Sequence, residues 1–159
     1  EAPLKIGICW RGGSGDANGM RRSIPLDRWA PIFSARPDAS WVSLQYRPDP
    51  TELEYVASQY GVAIHHFDDV ANDLNLTASV VSKLDLVITV QQSILHLCGA
   101  LGVQAWVLLP CHPEWRYGLE GDQMPWYSSV CLYRQREPGD WSDPFSRLLA
   151  DLRNFPGRS

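Results

Sequence analysis

No stretch of the 159-residue chain approaches the ~20 consecutive apolar residues that a membrane-crossing helix needs, so no membrane span is expected. There is no basic surplus either. Fourteen lysines and arginines stand against 18 aspartates and glutamates, for a formal net charge of -4, which argues against a nucleic-acid binder. Cysteine is scarce, and Cys9, Cys98, Cys111 and Cys131 show none of the spacings of a zinc site. They read as small buried apolar residues in a reducing compartment, and a cytoplasmic location is the expectation. Cys111-His112 and His65-His66 would make a metal site only if the fold brought them together. No metal or cofactor is expected. Internal repeats and low-complexity segments are absent. The glycine-rich run from Arg11 to Gly15 lacks the lysine and spacing of a P-loop, although Gly12 to Gly19 is polar and flexible enough for a lid. There is no signal peptide and no initiator Met ahead of Glu1-Ala2-Pro3, so the chain reads as a piece of a longer protein whose remainder lies upstream.

What is present is a globular balance, 45% apolar and 20% charged, enough for one domain spanning 1–159 to bury a core. Strand and helix patterns alternate. Strands are expected at Lys5 to Trp10, Trp41 to Gln45, Val62 to Phe67, Leu86 to Val90, Val103 to Leu109 and Val130 to Arg134. Helices are expected at Leu26 to Phe33, Glu52 to Tyr60, Leu76 to Leu84, Ile94 to Leu101 and Pro144 to Leu152, with Asn154 to Ser159 a polar tail. Within the third helix, Leu76, Val80, Val81 and Leu84 are expected to face inward. This alternation implies an α/β domain: a doubly wound, Rossmann-like, parallel six-stranded sheet in the order 3-2-1-4-5-6, with helices on both faces.

The run from Leu84 to Gly102 organises the chain. Leu86 to Val90 is a short β-branched run suited to a strand buried on both faces. Ile94, Leu97, Cys98 and Leu101 then recur at helical spacing, and Gly102 supplies the stop. Ser93 is the natural N-cap. A helix opening at the end of a parallel strand aims free amides at the crevice where ligands sit in open α/β sheets, and those amides favour phosphate. His96 lies in the first turn, where the helix dipole disfavours its protonated form. The long loop from Cys111 to Trp126 carries Glu114-Trp115-Arg116-Tyr117. Trp115 and Arg116 could stack on a base or sugar, or fasten the loop to the domain.

Five segments carry a resemblance: Trp10-Arg11-Gly12, Arg22-Ser23-Ile24-Pro25-Leu26, Leu44-Gln45, the stretch Leu84 to Gly102 with His96 and Leu-Cys-Gly-Ala-Leu-Gly, and the region from Trp115-Arg116 to Arg134-Gln135. Together they resemble the C-terminal, nucleotide-sugar-binding half of GT-B, heptosyltransferase-like glycosyltransferases, of the kind attached to tetratricopeptide repeats in bacteria. Where that family has Asp-Thr after the fourth strand, this chain has Gln91-Gln92. The resemblance implies a nucleoside diphosphate sugar as donor substrate and an inverting, metal-independent transfer. The catalytic base and acceptor site would lie in a missing N-terminal half, with that half-domain or a repeat region of the same chain as partner, so this fragment alone would lack turnover. It implies Arg11, Arg22, Gln92, Ser93 and His96 as diphosphate contacts, the guanidinium fork being suited to the task. It further implies Gln45, Asp73, Asn75, Trp115 and Arg116 as base or sugar contacts. Asp73 and Asn75 are equally suited to capping the helix that follows. The other reading is a non-catalytic protein-interaction module on the same fold, its donor site degraded at Gln91-Gln92.

Overall fold

The computed structural model describes residues 3–13 and 17–157. Six strands, β1 (Leu4–Cys9), β2 (Ala39–Ser43), β3 (Ile64–His66), β4 (Leu86–Val90), β5 (Ala105–Leu109) and β6 (Val130–Arg134), form one sheet in the order β3-β2-β1-β4-β5-β6. Every neighbouring pair is parallel. Six helices surround it: α1 (Ala17–Arg21), α2 (Ala30–Ala35), α3 (Pro50–Tyr60), α4 (Leu74–Val81), α5 (Ile94–Ala100) and α6 (Ser142–Arg153). This is the doubly wound Rossmann-like architecture that the alternating pattern implies. Among the described residues no helix is long and apolar enough to cross a membrane.

The central strands are apolar throughout because both their faces are covered. Every residue of β4 and of β5 is buried. Successive side chains leave on opposite faces, and the sheet thereby separates two apolar layers. Ile6, Ile8, Leu86, Ile88 and Leu108 join Trp29, Phe33, Val56 and Leu148 on the face of α2, α3 and α6. Cys9, Val87, Val107 and Leu132 join Val81, Leu95 and Cys98 on the face of α4 and α5. Full burial of a side chain such as Ile88 or Leu95 contributes about 1.5–3 kcal/mol.

Local chemistry sets the element ends. Asp49 caps α3 by accepting from the Thr51 N–H at 2.9 Å, Pro50 opens the helix, and Gly61 ends it at φ +66°. Asp73 caps α4, accepting from the Asn75 and Leu76 amides at 2.7 and 3.2 Å. At the end of α5 the Gly102 N–H donates to Gly99 O and the Val103 N–H to Cys98 O, with Gly102 at φ +68°. That is the Schellman arrangement, in which a glycine accepts the left-handed position without a Cβ clash.

Several expected boundaries are corrected. The single helix from Leu26 to Phe33 is instead a 3-10 turn, Leu26–Trp29, followed by α2. Pro31 has no N–H to continue an α-helical ladder and sits where α2 begins. The second and third strands stop at Ser43 and His66 rather than Gln45 and Phe67. α4 begins two residues before the expected Leu76, and Leu76 itself is 44% exposed rather than inward-facing. The inward row is carried by Val80, Val81 and Leu84. The polar stretch 12–19 is not all loop, since α1 begins at Ala17. Its residues 14–16, with Ser14 and Gly15 of the glycine run, lie outside the described residues, as do Arg158 and Ser159 of the tail.

Candidate functional site

The strand order reverses between β1 and β4, so a crevice opens where these two strands end. The residues leaving them are Trp10-Arg11-Gly12 and Gln91-Gln92-Ser93. From the β1 side, the Ile24 N–H donates to Trp10 O at 2.8 Å and the Gly12 N–H to Ser23 Oγ at 2.9 Å. These bonds fold the Arg22-Ser23-Ile24 segment back along the strand exit and fix Arg22 in place. Gly12 makes room for it: a Cβ there would lie 2.5 Å from Arg22 Nε.

Arg22 reaches across to the loop after β5. Its Nη1 lies 3.3 Å from Glu114 Oε1, while the other oxygen of Glu114 receives Arg116 Nη2 at 2.6 Å. One carboxylate thus joins two guanidinium groups, one from the segment after β1 and one from its own loop. The Nε atoms of Arg22 and Arg116 are both buried without a hydrogen-bond partner. A buried donor left unmade costs about 1–3 kcal/mol, so each Nε keeps an unmet capacity to donate.

His96 faces the same cluster from α5, its ring 6.1 Å from that of Tyr117 and 5.8 Å from that of Tyr127. Its imidazole is held below the ordinary value of 6.5, first by burial and then by the Arg116 charge, with Glu114 opposing. His96 is therefore neutral near pH 7, as its place in the first helical turn implies. Burial and Glu114 push the Tyr117 phenol up to about 12, against the pull of Arg116 and Arg22. Gly99 lets Tyr127 close on the helix, since a Cβ there would run into the ring.

Beside the cluster is a cavity of about 340 Å³, lined by Gln92, Ser93 and Ile94 from the β4–α5 junction, Tyr46 after β2, and Asn72 and Thr77 around α4. This lies within the ~300–1,000 Å³ of small-molecule sites. Gln91 is buried, and its Oε1 has no partner.

The structure thus brings together Arg22, His96 and Arg116, with Gln92 and Ser93 on the adjoining wall. Ser93 occupies the N-cap position of α5, but its backbone is already helical, at φ -62° and ψ -30°, and its side chain makes no capping bond; the capping expectation is corrected accordingly. Gln92 Nε2 donates to Thr89 Oγ1 at 3.2 Å. Arg11 is drawn away, to Glu52 on α3 at 3.4 Å and to Arg47 O at 3.2 Å. Gln45 is a buried strap whose Oε1 accepts from the Trp10 and Arg11 amides at 3.1 and 2.9 Å. Asp73 and Asn75 are exposed at the start of α4, and their neighbour Asn72 lines the cavity instead. Trp115 is 80% exposed. The loop around it is fastened by Arg134, which donates to the carbonyls of Tyr117, Gly118, Glu120 and Gly121, and by Trp126 Nε1, which donates to Arg116 O. His65-His66 and Cys111-His112 stand apart, with β2, β1 and β4 between their strands. Among the described residues no group of three histidines, cysteines or carboxylates is arranged to hold a metal. Sequence reasoning gave Glu114, Tyr46 and Asn72 no part in the site. Tyr46 had a signal, because it directly follows the Leu44-Gln45 end of the second strand.

Fold and crevice together define a doubly wound, Rossmann-type α/β domain with a crevice at the reversal of its strand order. No family model matches the chain. It is 29% identical over 153 residues to Protein FlbA of Caulobacter vibrioides, a match covering 95% of this chain and 25% of FlbA. In structure it is similar to a glycosyl transferase family 9 protein from Veillonella parvula, with a TM-score of 0.56 and 17% identity over 85% of this chain and 36% of that one. It is also similar to the E. coli heptosyltransferase WaaC solved with ADP-2-deoxy-2-fluoro heptose, with a TM-score of 0.56 and 16% identity over 94% of this chain and 44% of that one. The chain therefore spans a quarter of FlbA and less than half of either solved glycosyltransferase, and the likeness to the latter two is one of fold.

Proposed function

We propose that this domain binds the diphosphate of a nucleotide sugar, as the donor-binding C-terminal half of an inverting, metal-independent glycosyltransferase working in the cytoplasm. The observation that carries the reading is the convergence of Arg22 and Arg116, each with a buried unpartnered Nε, beside neutral His96 at the strand-order reversal. The two guanidinium groups would take the diphosphate and stabilise the negative charge that develops as the glycosidic bond to the leaving group breaks, in the place a cation would fill. His96 would donate one further hydrogen bond. The cavity of Gln92, Ser93, Tyr46 and Asn72 would receive the nucleoside. The heptosyltransferase neighbour was solved with an ADP-sugar analogue, so ADP is the first nucleotide to try. The catalytic base and acceptor site belong to an upstream half-domain or repeat region, and the isolated chain is expected to bind without turnover.

A second reading rests on Glu114, which already neutralises both arginines: a domain locked this way would serve as a protein-interaction module. Titrating the chain with UDP, GDP and ADP while following amide resonances separates the two. Shifts centred on Ser93 to His96, abolished by Ser93→Glu with the fold intact, support donor binding. No shift at about millimolar ligand with any of the three supports the module.

A further inference from the structure

A larger cavity lies on the other side of the Arg22-Ser23 segment, where β5 and β6 end against the start of the 3-10 turn preceding α2. It measures about 520 Å³. Its walls are apolar and flat: Pro25, Pro110 and Pro138, with the indole of Trp141. Its polar lining includes Arg21, Arg28, His112 and Gln135, and no carboxylate. Arg21 and Arg28 are exposed and form no ion pair among the described residues, whereas Arg11, Arg22, Arg36, Arg116, Arg136 and Arg147 all do.

Gln135 gives the cavity a built feature. It is 5% exposed, and its Oε1 accepts from the Cys111 N–H at 3.3 Å. That bond fixes which way the amide points, because the flipped amide would set N–H against N–H. The Nε2 is consequently buried with no partner in the protein. An orphaned amide donor, two unpaired cations and aromatic and prolyl walls select one kind of guest. It has a flat apolar body to lie against Trp141 and the prolines, and an acidic head to meet the guanidinium groups and the amide.

We propose that this cavity is a second binding site, distinct from the crevice of Arg22 and His96, and that it takes a small organic carboxylate or phosphate ester with a flat apolar body. Its position on the same edge of the sheet sets it next to the donor crevice, with Ser23 lining its near wall.

The probe is 2-naphthoate, with 2-naphthamide as its uncharged counterpart, titrated into the 15N-labelled chain. Saturable shifts of the Gln135 side-chain amide and the Trp141 indole N–H are expected, with the Ser93 to His96 amides unmoved. Arg28→Ala and the neutral naphthamide should each bind about tenfold more weakly, the loss of one charge-assisted contact. Arg28 is exposed, so this variant keeps its fold. Three results would overturn the proposal: no saturable shift by about 5 mM, equal binding of the neutral amide, or shifts confined to Ser93–His96. A parallel ADP titration reports on the donor crevice separately, so failure of one site is not mistaken for failure of the other.

Discussion

Glu114→Gln removes one negative charge from between Arg22 and Arg116 and changes almost nothing in shape. In the structure that carboxylate holds the two guanidinium groups at 3.3 and 2.6 Å, so an incoming diphosphate must share them with it or displace it. A phosphate charge about 5 Å from the carboxylate is repelled by about 3 kcal/mol at an effective dielectric near 20 and by about 0.8 kcal/mol in bulk water. The Glu114 side chain is 42% exposed, which sets the value toward the lower figure. About 1 kcal/mol of relief makes ADP bind about fivefold more tightly to the variant. Against this stands the positioning that the ion pair gives Arg22, worth under about 1 kcal/mol for so exposed a partner. Calorimetric titration of both proteins, at low salt and at about 0.5 M salt, is the assay. The gain should shrink as salt screens the repulsion. Unchanged or weaker binding by the variant at low salt would refute the idea that Glu114 occupies the place of the ligand's charge.

Gly12→Ala sets a Cβ 2.5 Å from Arg22 Nε. A flexible side chain can yield, so stability should change by less than about 1 kcal/mol while ADP binding falls about tenfold; Gly99→Ala drives a methyl into the Tyr127 ring and should destabilise by about 1–3 kcal/mol, both read by denaturant midpoint and calorimetry. Asp73→Ala removes the cap of α4 and should cost about 1 kcal/mol of stability with ADP affinity unchanged; a loss of affinity would instead make Asp73 a ligand contact. The folded His96 imidazole is held below its ordinary 6.5, so the unfolded chain binds the proton first as pH falls. The stability associated with neutral His96 is complete above about pH 6.5 and declines below it. His96→Gln should flatten that decline in unfolding midpoints taken between about pH 5 and 8, and an identical decline in the variant would remove His96 as its source.

The parts of this fold that were legible in the sequence are those written as local periodicity. Leu86–Val90 and Val130–Arg134 stand as read, because a short β-branched or apolar run bounded by polar turns has few other solutions. The strand order is the common Rossmann-type one that alternating strands and helices suggest. Side-chain partnerships across the chain leave no such period. Arg11 and Arg22 flank the same glycines and look equivalent in sequence, yet Glu52, 41 residues on from Arg11, draws it to α3, while Glu114, 92 residues on from Arg22, draws that one into the crevice. Leu76 lies on the same helical row as Val80 and Leu84, yet it sits in the first turn of α4, where it is 44% exposed. Ser93 has the residue type of a cap without the extended backbone a cap requires.

Because the sheet keeps its two apolar layers from touching, damage to one should leave the other unaware of it. A truncated side chain beneath α2 and α6, such as Ile88→Ala, weakens the whole domain by about 2–5 kcal/mol but leaves the floor under Ser93 and His96 undisturbed, while a change at Leu95 reaches both. Stability and ligand affinity are therefore separately adjustable in this molecule, through residues that sit on opposite sides of a single sheet.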